Sequence, residues 1–281
     1  MKIGKYLIET LETGTFALDG GAMFGIIPRP LWEKSNPADA SNRVRLNARC
    51  MLLRSDNKTI LVDTGMGDKW DEKSVNIYDI HNTTGSLTGS LEQKGLKPED
   101  ITDVLLTHCH FDHAGGATRY ENGKLVPAFP NARYYVQKQN FEWAMNPSDR
   151  DRGSYLKQNF LPLMEAGVLN FFNGNSRFDE EIELVVMNGH TFGQQLVRIS
   201  DGSDTFVYCG DLIPFSSHTH LPYIMGYDLQ PLVTLEEKKK ILSEAAEKNW
   251  RLVFEHDPFS AYATVTTTEK GYKVKERFDV L

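Results

Sequence analysis

Thr107-His108-Cys109-His110-Phe111-Asp112-His113-Ala114-Gly115-Gly116 packs three histidines and one aspartate into six positions, directly after the apolar run Val104-Leu105-Leu106. A run this short and apolar reads as a buried strand, whose end is a rigid edge. His108 and His110 stand two apart, so chain leaving a strand points both imidazoles to one side. Asp112 and His113 follow as the backbone turns, and face a second position. Neutral imidazole and carboxylate are the ligands that zinc, iron and manganese accept at hydrolytic sites. Without a cation, four such groups near a core would leave polar atoms unpaired, which is costly. The segment predicts a metal centre that does chemistry.

Three further apolar stretches deliver a histidine or carboxylate at their ends. Leu184-Val185-Val186-Met187 leads to Asn188-Gly189-His190-Thr191, Phe206-Val207-Tyr208-Cys209 to Gly210-Asp211, and Leu252-Val253-Phe254 to Glu255-His256-Asp257. Any one alone is weak, because a lone histidine after a strand is commonly structural. Repetition of one pattern points to a shared site at strand ends. Upstream, Leu61-Val62-Asp63-Thr64-Gly65 ends another strand in an Asp-Thr-Gly turn.

Together these positions resemble the metallo-β-lactamase fold hydrolases over nearly all of the chain. The signature His-x-His-x-Asp-His is met at His108, His110, Asp112 and His113, and the later ligand positions match His190, Asp211 and His256. The resemblance implies that His108, His110 and His190 hold one metal and Asp112, His113 and His256 the other, with Asp211 bridging them. It places Asp63 beside the metals, orienting a ligand; a carboxylate that merely caps a tight turn is the alternative. The implied fold is an α/β, αββα sandwich of two mixed β-sheets flanked by helices.

Branches of that superfamily separate at particular residues. True class B β-lactamases lack the bridging aspartate met here at Asp211, and flavodiiron proteins carry glutamate where this chain has His110. Similarity is nearest to the lactonase-like and methyl-parathion-hydrolase-like branch, at Asp19 to Gly25, Ile60 to Gly67 and Asp211 to Pro214. Lactonases of that group place a tyrosine three positions after the bridging aspartate, where this chain has Pro214. Tyr223 is the candidate replacement. The turn after His190 reads Gly-His-Thr-Phe-Gly-Gln where Gly-His-Thr-Pro-Gly-His is commoner, with Gln194 at a position that is not a ligand.

Composition is that of a globular enzyme. With 281 residues and 40% hydrophobic content, the chain can bury a substantial core, and residues 1–281 read as a single domain of two similar halves, about 1–175 and 176–281. No stretch approaches the apolar length of a membrane span. Met1 to Leu11 lacks the pattern of a secretory signal. Cys50, Cys109 and Cys209 are odd in number and widely spaced, which fits a reducing, cytoplasmic setting. Cys109 reads as a buried packing residue. A net charge of −7 argues against a nucleic-acid partner and so against a tRNA-processing nuclease. The partner expected is a small-molecule substrate; a homodimer rests on the resemblance alone.

Element by element, Arg49 to Leu53 and Thr59 to Asp63 read as a hairpin, and Leu91 to Gly95 as the close of a helix. Arg133 to Gln137 is a strand followed by helices at Gln139 to Met145 and Tyr155 to Ala166. Strands recur at 182–187, 195–200, 205–209 and 252–255, with a charged helix from about Leu235 to Lys248. Its run Glu236-Glu237-Lys238-Lys239-Lys240 reads as a solvated face. Met23, Phe24, Phe192, Phe215, His218 and Tyr223, with Ile224 and Met225, are candidates for an apolar pocket wall, ordinary core packing being the alternative. Arg150-Asp151-Arg152 reads as a surface loop, with a lid over the cleft as the alternative, and His81 as solvent-exposed.

The chemistry follows from charge. Two divalent cations carry four positive charges, and Asp112, Asp211 and a bridging hydroxide offset three, leaving about one. A metal lowers the pKa of water from 15.7 to about 7, which supplies a nucleophile at neutral pH. The expected reaction is attack by the metal-bridging hydroxide on an ester, lactone or phosphoester of a small molecule, with Asp112 passing a proton to the leaving group. Zinc is the first expectation, with iron or manganese as alternatives. Two other classes stay open: a metal-dependent redox enzyme acting on a thiol or sulfur substrate, and an idle metal-binding regulatory protein.

Overall fold

Strands that are apolar on both faces need cover on both, and that need creates layers. The computed structural model describes residues 1–81 and 86–279. In the long strand Arg43–Arg54, Cys50 and Leu52 point to one side while Met51 and Leu53 point to the other, and all four are buried.

The first sheet runs, in spatial order, β1 (Lys2–Ile3), β2 (Tyr6–Asp19), β3 (Arg43–Arg54), β4 (Thr59–Val62) and β5 (Asp103–Leu105). Past a separate hairpin of β6 (Thr118–Glu121) and β7 (Lys124–Pro127), it continues through β8 (Arg133–Gln137) and β9 (Leu169–Phe172). Its β4-β5-β8-β9 part is parallel and the rest antiparallel. The second sheet orders β10 (Ser176–Arg177), β11 (Ile182–Met187), β12 (Gln194–Ser200), β13 (Thr205–Tyr208), β14 (Arg251–Val253), β15 (Tyr262–Thr268) and β16 (Gly271–Phe278). There β13 and β14 are the parallel pair.

Between the sheets, Ile8, Met51, Ile60 and Leu105 meet Leu184, Val197, Phe206 and Val253. Outside the first sheet, Phe141 and Leu163 pack near Cys50, Leu52 and Val104. Outside the second, Ile241, Leu242 and Ala245 of the helix Pro231–Lys248 cover Leu196, Val207 and Leu252. The layers are αββα, as the sequence leads one to expect. Among the described residues, no helix is long and apolar enough to cross a membrane.

Register explains where the ligand-bearing segments emerge. Val62 pairs with Leu105, and Tyr208 with Val253, each in parallel. Asp63 and His108 therefore leave one sheet at the same edge, and Asp211 and His256 leave the other likewise. Carboxyl ends of neighbouring parallel strands form a natural crevice.

Several sequence expectations need correction. Tyr155 to Ala166 is not one helix: a 3-10 turn at Lys157–Asn159 precedes a short helix, Leu161–Glu165. Pro162 in its first turn has no N–H to continue a helix backwards. The charged helix starts at Pro231 for the same reason, four residues before Leu235. The strand expected at 252–255 ends at Val253, freeing Glu255 and His256 to turn into the crevice.

The charge run is the largest departure. Glu236, Lys239 and Lys240 do face solvent, but Lys238 is wholly buried. Its Nζ donates to the carbonyls of His220, Leu221 and Tyr223 at 3.0, 3.3 and 2.5 Å. Glu237 accepts from the N–H groups of Asn188 and Gly189 at 2.7 and 3.0 Å. Lys238 shares its face with Thr234, Ile241, Leu242 and Ala245, the buried side of the helix.

Candidate metal centre

The Asp-Thr-Gly turn starts the site. Asp63 holds a left-handed backbone (φ 57°), and its buried carboxylate accepts from the Thr107 N–H and the Thr107 hydroxyl, both at 2.7 Å. That clamp ties the end of β4 to the start of the histidine segment. With its proton given to Asp63, the Thr107 hydroxyl accepts from His108 Nδ1 at 3.0 Å. His108 then presents the lone pair of Nε2 inward. A one-turn helix, Phe111–Ala114, swings Asp112 and His113 to the other side. The following glycine is required by contact: a Cβ on Gly115 would lie 2.2 Å from the Met66 carbonyl oxygen.

The other imidazoles are held alike. His190 Nδ1 donates to Asp228 at 2.8 Å, and His256 Nδ1 to the Asn47 carbonyl at 2.9 Å. His113 Nδ1 faces Glu255 at 2.9 Å and Asp63 at 3.1 Å. In each case the outer nitrogen carries the hydrogen and the inner Nε2 is left as a donor atom to a cation. His110 turns Nδ1 inward instead, its ring packed 4.6 Å from that of Tyr155.

Two groups of four ligand atoms result, His108, His110, His190 and Asp211, and Asp112, His113, Asp211 and His256, each within 4.8 Å and all buried. In the first, separations are 3.0 Å (His108–His110), 3.1 Å (His110–His190), 3.1 Å (His190–Asp211) and 3.8 Å (His108–Asp211). In the second they are 3.4 Å (His113–His256), 3.5 Å (His113–Asp211), 3.1 Å (His256–Asp211) and 3.7 Å from Asp112 to each histidine. A tetrahedron with metal bonds of ~2.0–2.1 Å has edges of about 3.3 Å, so both groups fit a zinc-sized ion. Asp211 belongs to both, and its Oδ1 has no hydrogen-bond partner despite burial.

Electrostatics point the same way. Burial would raise the Asp211 carboxyl, but the imidazoles of His113, His190 and His256 hold it well below the usual carboxylate range. Burial lowers His190 and His256, yet Asp211 outweighs it and pushes them up to about 10 and about 8. His108 and His110 are pushed down, by burial and by neighbouring imidazoles. Without cations the cage thus collects protons around Asp211. Asp63 and Asp228 add buried carboxylates behind it, while burial pushes the Glu255 carboxyl up to about 8. Such negative charge calls for cations.

All seven ligand candidates and Asp63 therefore converge. Three neighbours escaped the sequence reading. Glu255 stands beside His256 in the same strand end, a usable signal, whereas Asp228 lies 38 residues from His190 and announces itself by nothing local. Thr107 precedes the motif and looks like ordinary strand.

The pocket candidates fare differently. A cleft of about 230 Å³ opens onto His110, Asp112, His190, Asp211 and His256, walled by Leu18, Met23, Leu46, Tyr78, Phe111 and Met225, with Tyr227 and Arg150 at its border. Met23 lines it. Phe24, Phe215, His218 and Tyr223 do not: they form an aromatic cluster behind the wall, with Phe24 4.9 Å from His218 and 5.9 Å from Tyr223. His218 is a packing histidine whose Nε2 donates to the Met23 carbonyl at 2.9 Å, and burial pushes it down to about 3. Phe192 stacks edge-on against Trp143, 4.6 Å away. The tyrosines at the cleft are Tyr78 and Tyr227, so Tyr223 does not stand in for the residue at position 214. Of the loop Arg150 to Arg152, Arg150 lines the cleft, Asp151 is buried and Arg152 is exposed.

Comparison with known proteins agrees with this geometry. The metallo-beta-lactamase superfamily profile matches residues 43–261. An N-acyl homoserine lactonase of Bacillus thuringiensis is 27% identical over 232 residues, covering 74% of this chain and 80% of the relative. The crystal structure of a probable metal-dependent hydrolase from Staphylococcus aureus superposes with a TM-score of 0.90 at 28% identity, over 99% of this chain and 98% of the other. AidC, a dizinc quorum-quenching lactonase in complex with its product, shares the fold with a TM-score of 0.82 at 23% identity, over 99% of this chain and 97% of its own.

Proposed function

This chain belongs to the metallo-beta-lactamase superfamily and is a metal-dependent hydrolase, and from that premise we propose that it opens a small lactone ring at a dinuclear centre. The observation that carries the proposal is Asp211, shared by two buried four-atom groups. We assign His108, His110 and His190 to one ion, Asp112, His113 and His256 to the other, and Asp211 to both. Zinc is our assignment for each position, because nitrogen-rich tetrahedral sets suit it. When bound, the ions supply Lewis acidity towards the carbonyl oxygen and an activated water.

The protein's own groups do the remainder. Asp63 and Thr107 fix His108, Asp228 fixes His190, and Glu255 with Asp63 fixes His113, so no ring must reorient during turnover. Asp112 borders the cleft and is assigned to take up the proton that the attacking water gives up and to hand it to the leaving alkoxide oxygen. Leu18, Met23, Leu46 and Met225 receive the apolar part of the substrate and exclude water. Burial of this size suits an acyl chain or an aryl group, and similarity to N-acyl homoserine lactonases supports the lactone among the ester classes. Residues 1–281 acting as one domain is part of the same proposal, since each ion draws on both sheets. A cytoplasmic setting is favoured by three cysteines that are all free and buried.

The test combines metal analysis with hydrolysis of an N-acyl homoserine lactone, an aryl ester and a phosphotriester. We expect two equivalents of divalent metal, acid release fastest from the lactone, and loss of turnover on chelation. A single iron with oxygen uptake on a thiol substrate would overturn the reading in favour of redox chemistry.

A further inference from the structure

His256 sits on the loop of residues 254–261, between β14 and β15 of the second sheet. One side chain of the first sheet gathers that loop. Arg49 of β3 is only 3% exposed, and its Nη1 donates to the carbonyls of Phe254, Asp257 and Ser260 at 2.6, 3.0 and 3.3 Å. None of these carbonyls accepts a backbone N–H among the described residues. Backbone bonds run alongside, from the Asn47 N–H to the His256 carbonyl at 3.0 Å and from the Arg49 N–H to the Glu255 carbonyl at 3.1 Å. Glu255 in turn meets His113 Nδ1, so two imidazoles assigned to the same ion lie one step from Arg49.

The guanidinium is itself aimed. Glu12 lies directly opposite Arg49 in the β2–β3 pairing, at the last pair before a bulge that takes in Thr13 and Gly14. Arg49 and Asn47, two apart on one strand, face the same side. The Glu12 carboxylate accepts from Arg49 Nε at 2.5 Å and from Asn47 Nδ2 at 2.8 Å. Asn47 is also the residue whose carbonyl takes the His256 Nδ1 hydrogen. A single carboxylate thus holds both residues that meet the His256 loop. Were filling space the only need, an apolar side chain would serve at lower cost than a buried cation. What the guanidinium adds is a set of directed donors. Among the described residues it makes no hydrogen bond to Thr107 or Asp228, which stand behind His108 and His190.

We propose that Arg49, aimed by Glu12, is a positioning residue for His256, and that it governs how firmly the ion assigned to Asp112, His113 and His256 is held while leaving the other ion alone. The inference rests on the dinuclear assignment above. It adds that the two ions are secured by separate parts of the chain.

The test is zinc binding by the metal-free protein, read in competition with a chelator, with His256→Ala and His190→Ala marking which equivalent is which. Arg49→Met should weaken by about 10–100-fold the equivalent that His256→Ala removes, and leave within about twofold the one that His190→Ala removes. Arg49→Lys, which keeps the charge, should restore part of that loss. Arg54→Met breaks another Arg–Glu pair between β2 and β3, that of Arg54 with Glu9, and should move neither equivalent. Glu12→Gln, at a half-exposed carboxylate, should weaken the same equivalent as Arg49→Met by about fivefold, and carries the test if Arg49→Met does not fold. If the two histidine variants separate the equivalents but the Arg49 and Glu12 variants move both alike or neither, the positioning role is overturned and the dinuclear assignment stands. If each histidine variant still binds two equivalents, the dinuclear assignment fails and the role of Arg49 fails with it. Because zinc is the probe, neither result depends on which ester the enzyme opens.

Discussion

The ligand cage and the cleft wall border one crevice, yet they are held by different kinds of contact. In the cage, four of the five imidazoles are fixed by a short bond from the outer nitrogen, such as His190 to Asp228 or His256 to the Asn47 carbonyl, and all five follow the ends of strands. In the wall, Met23 sits on a one-turn helix packed against β2 and β3, and the segment from His220 to Tyr227 is irregular chain. They hang from two buried polar side chains, His218 on the Met23 carbonyl and Lys238 on three others. The cage is therefore rigid by architecture. The wall leans on those anchors and on single backbone bonds, such as Gly226 to the Ala22 carbonyl at 2.7 Å, rather than on a strand ladder.

That contrast can be broken at several points, and the largest effect belongs to the cage. Asp211→Ala removes the carboxylate common to both groups; metal analysis should find one equivalent lost, and kcat/KM should fall by about 10³-fold or more. Normal turnover in that variant would end the dinuclear scheme. Lys238→Met leaves three carbonyls without their donor, and urea denaturation should show a loss of about 3 kcal/mol. Its metal content should hold while KM rises, which separates wall from cage. Asp228→Ala frees the His190 ring; competition with a chelator should reveal metal binding weaker by about 10–100-fold at little cost in folding.

The smallest effect is a slope with pH. The folded chain refuses a proton at His218, whose pKa is pushed down to about 3, while the unfolded chain accepts one below about 6.5. Stability contributed by the neutral ring is complete above that value and falls as pH drops through it. The loss is about 1.4 kcal/mol per pH unit. His218→Gln, which keeps a donor for Met23, should remove this part of the slope. Equal slopes in the two proteins between pH 6 and pH 5 would mean the ring is not the buried, uncharged post described.

How far each region was readable follows from the same physics. His108, His110, Asp112 and His113 come from one segment, and His190, Asp211 and His256 each follow an apolar strand, so position along the chain nearly specifies position in space. Asp63 was readable for that reason too. Lys238 was not: in the run Glu236 to Lys240 nothing distinguishes the residue that meets three carbonyls from its solvated neighbours. Phe24, Phe215 and Tyr223 have the chemistry of a pocket wall but sit one layer behind it, because the turn after Asp19 and the loop after Asp211 pack ring on ring.

By itself, the order of residues determined the αββα frame and which side chains could bind cations, because alternation and strand-end placement are local properties. Only the tertiary structure decided which groups hold those ligands from behind, which surface faces the substrate, and which lysine is buried. Those outcomes depend on contacts between segments tens to hundreds of residues apart, where geometry rather than residue type selects the partner.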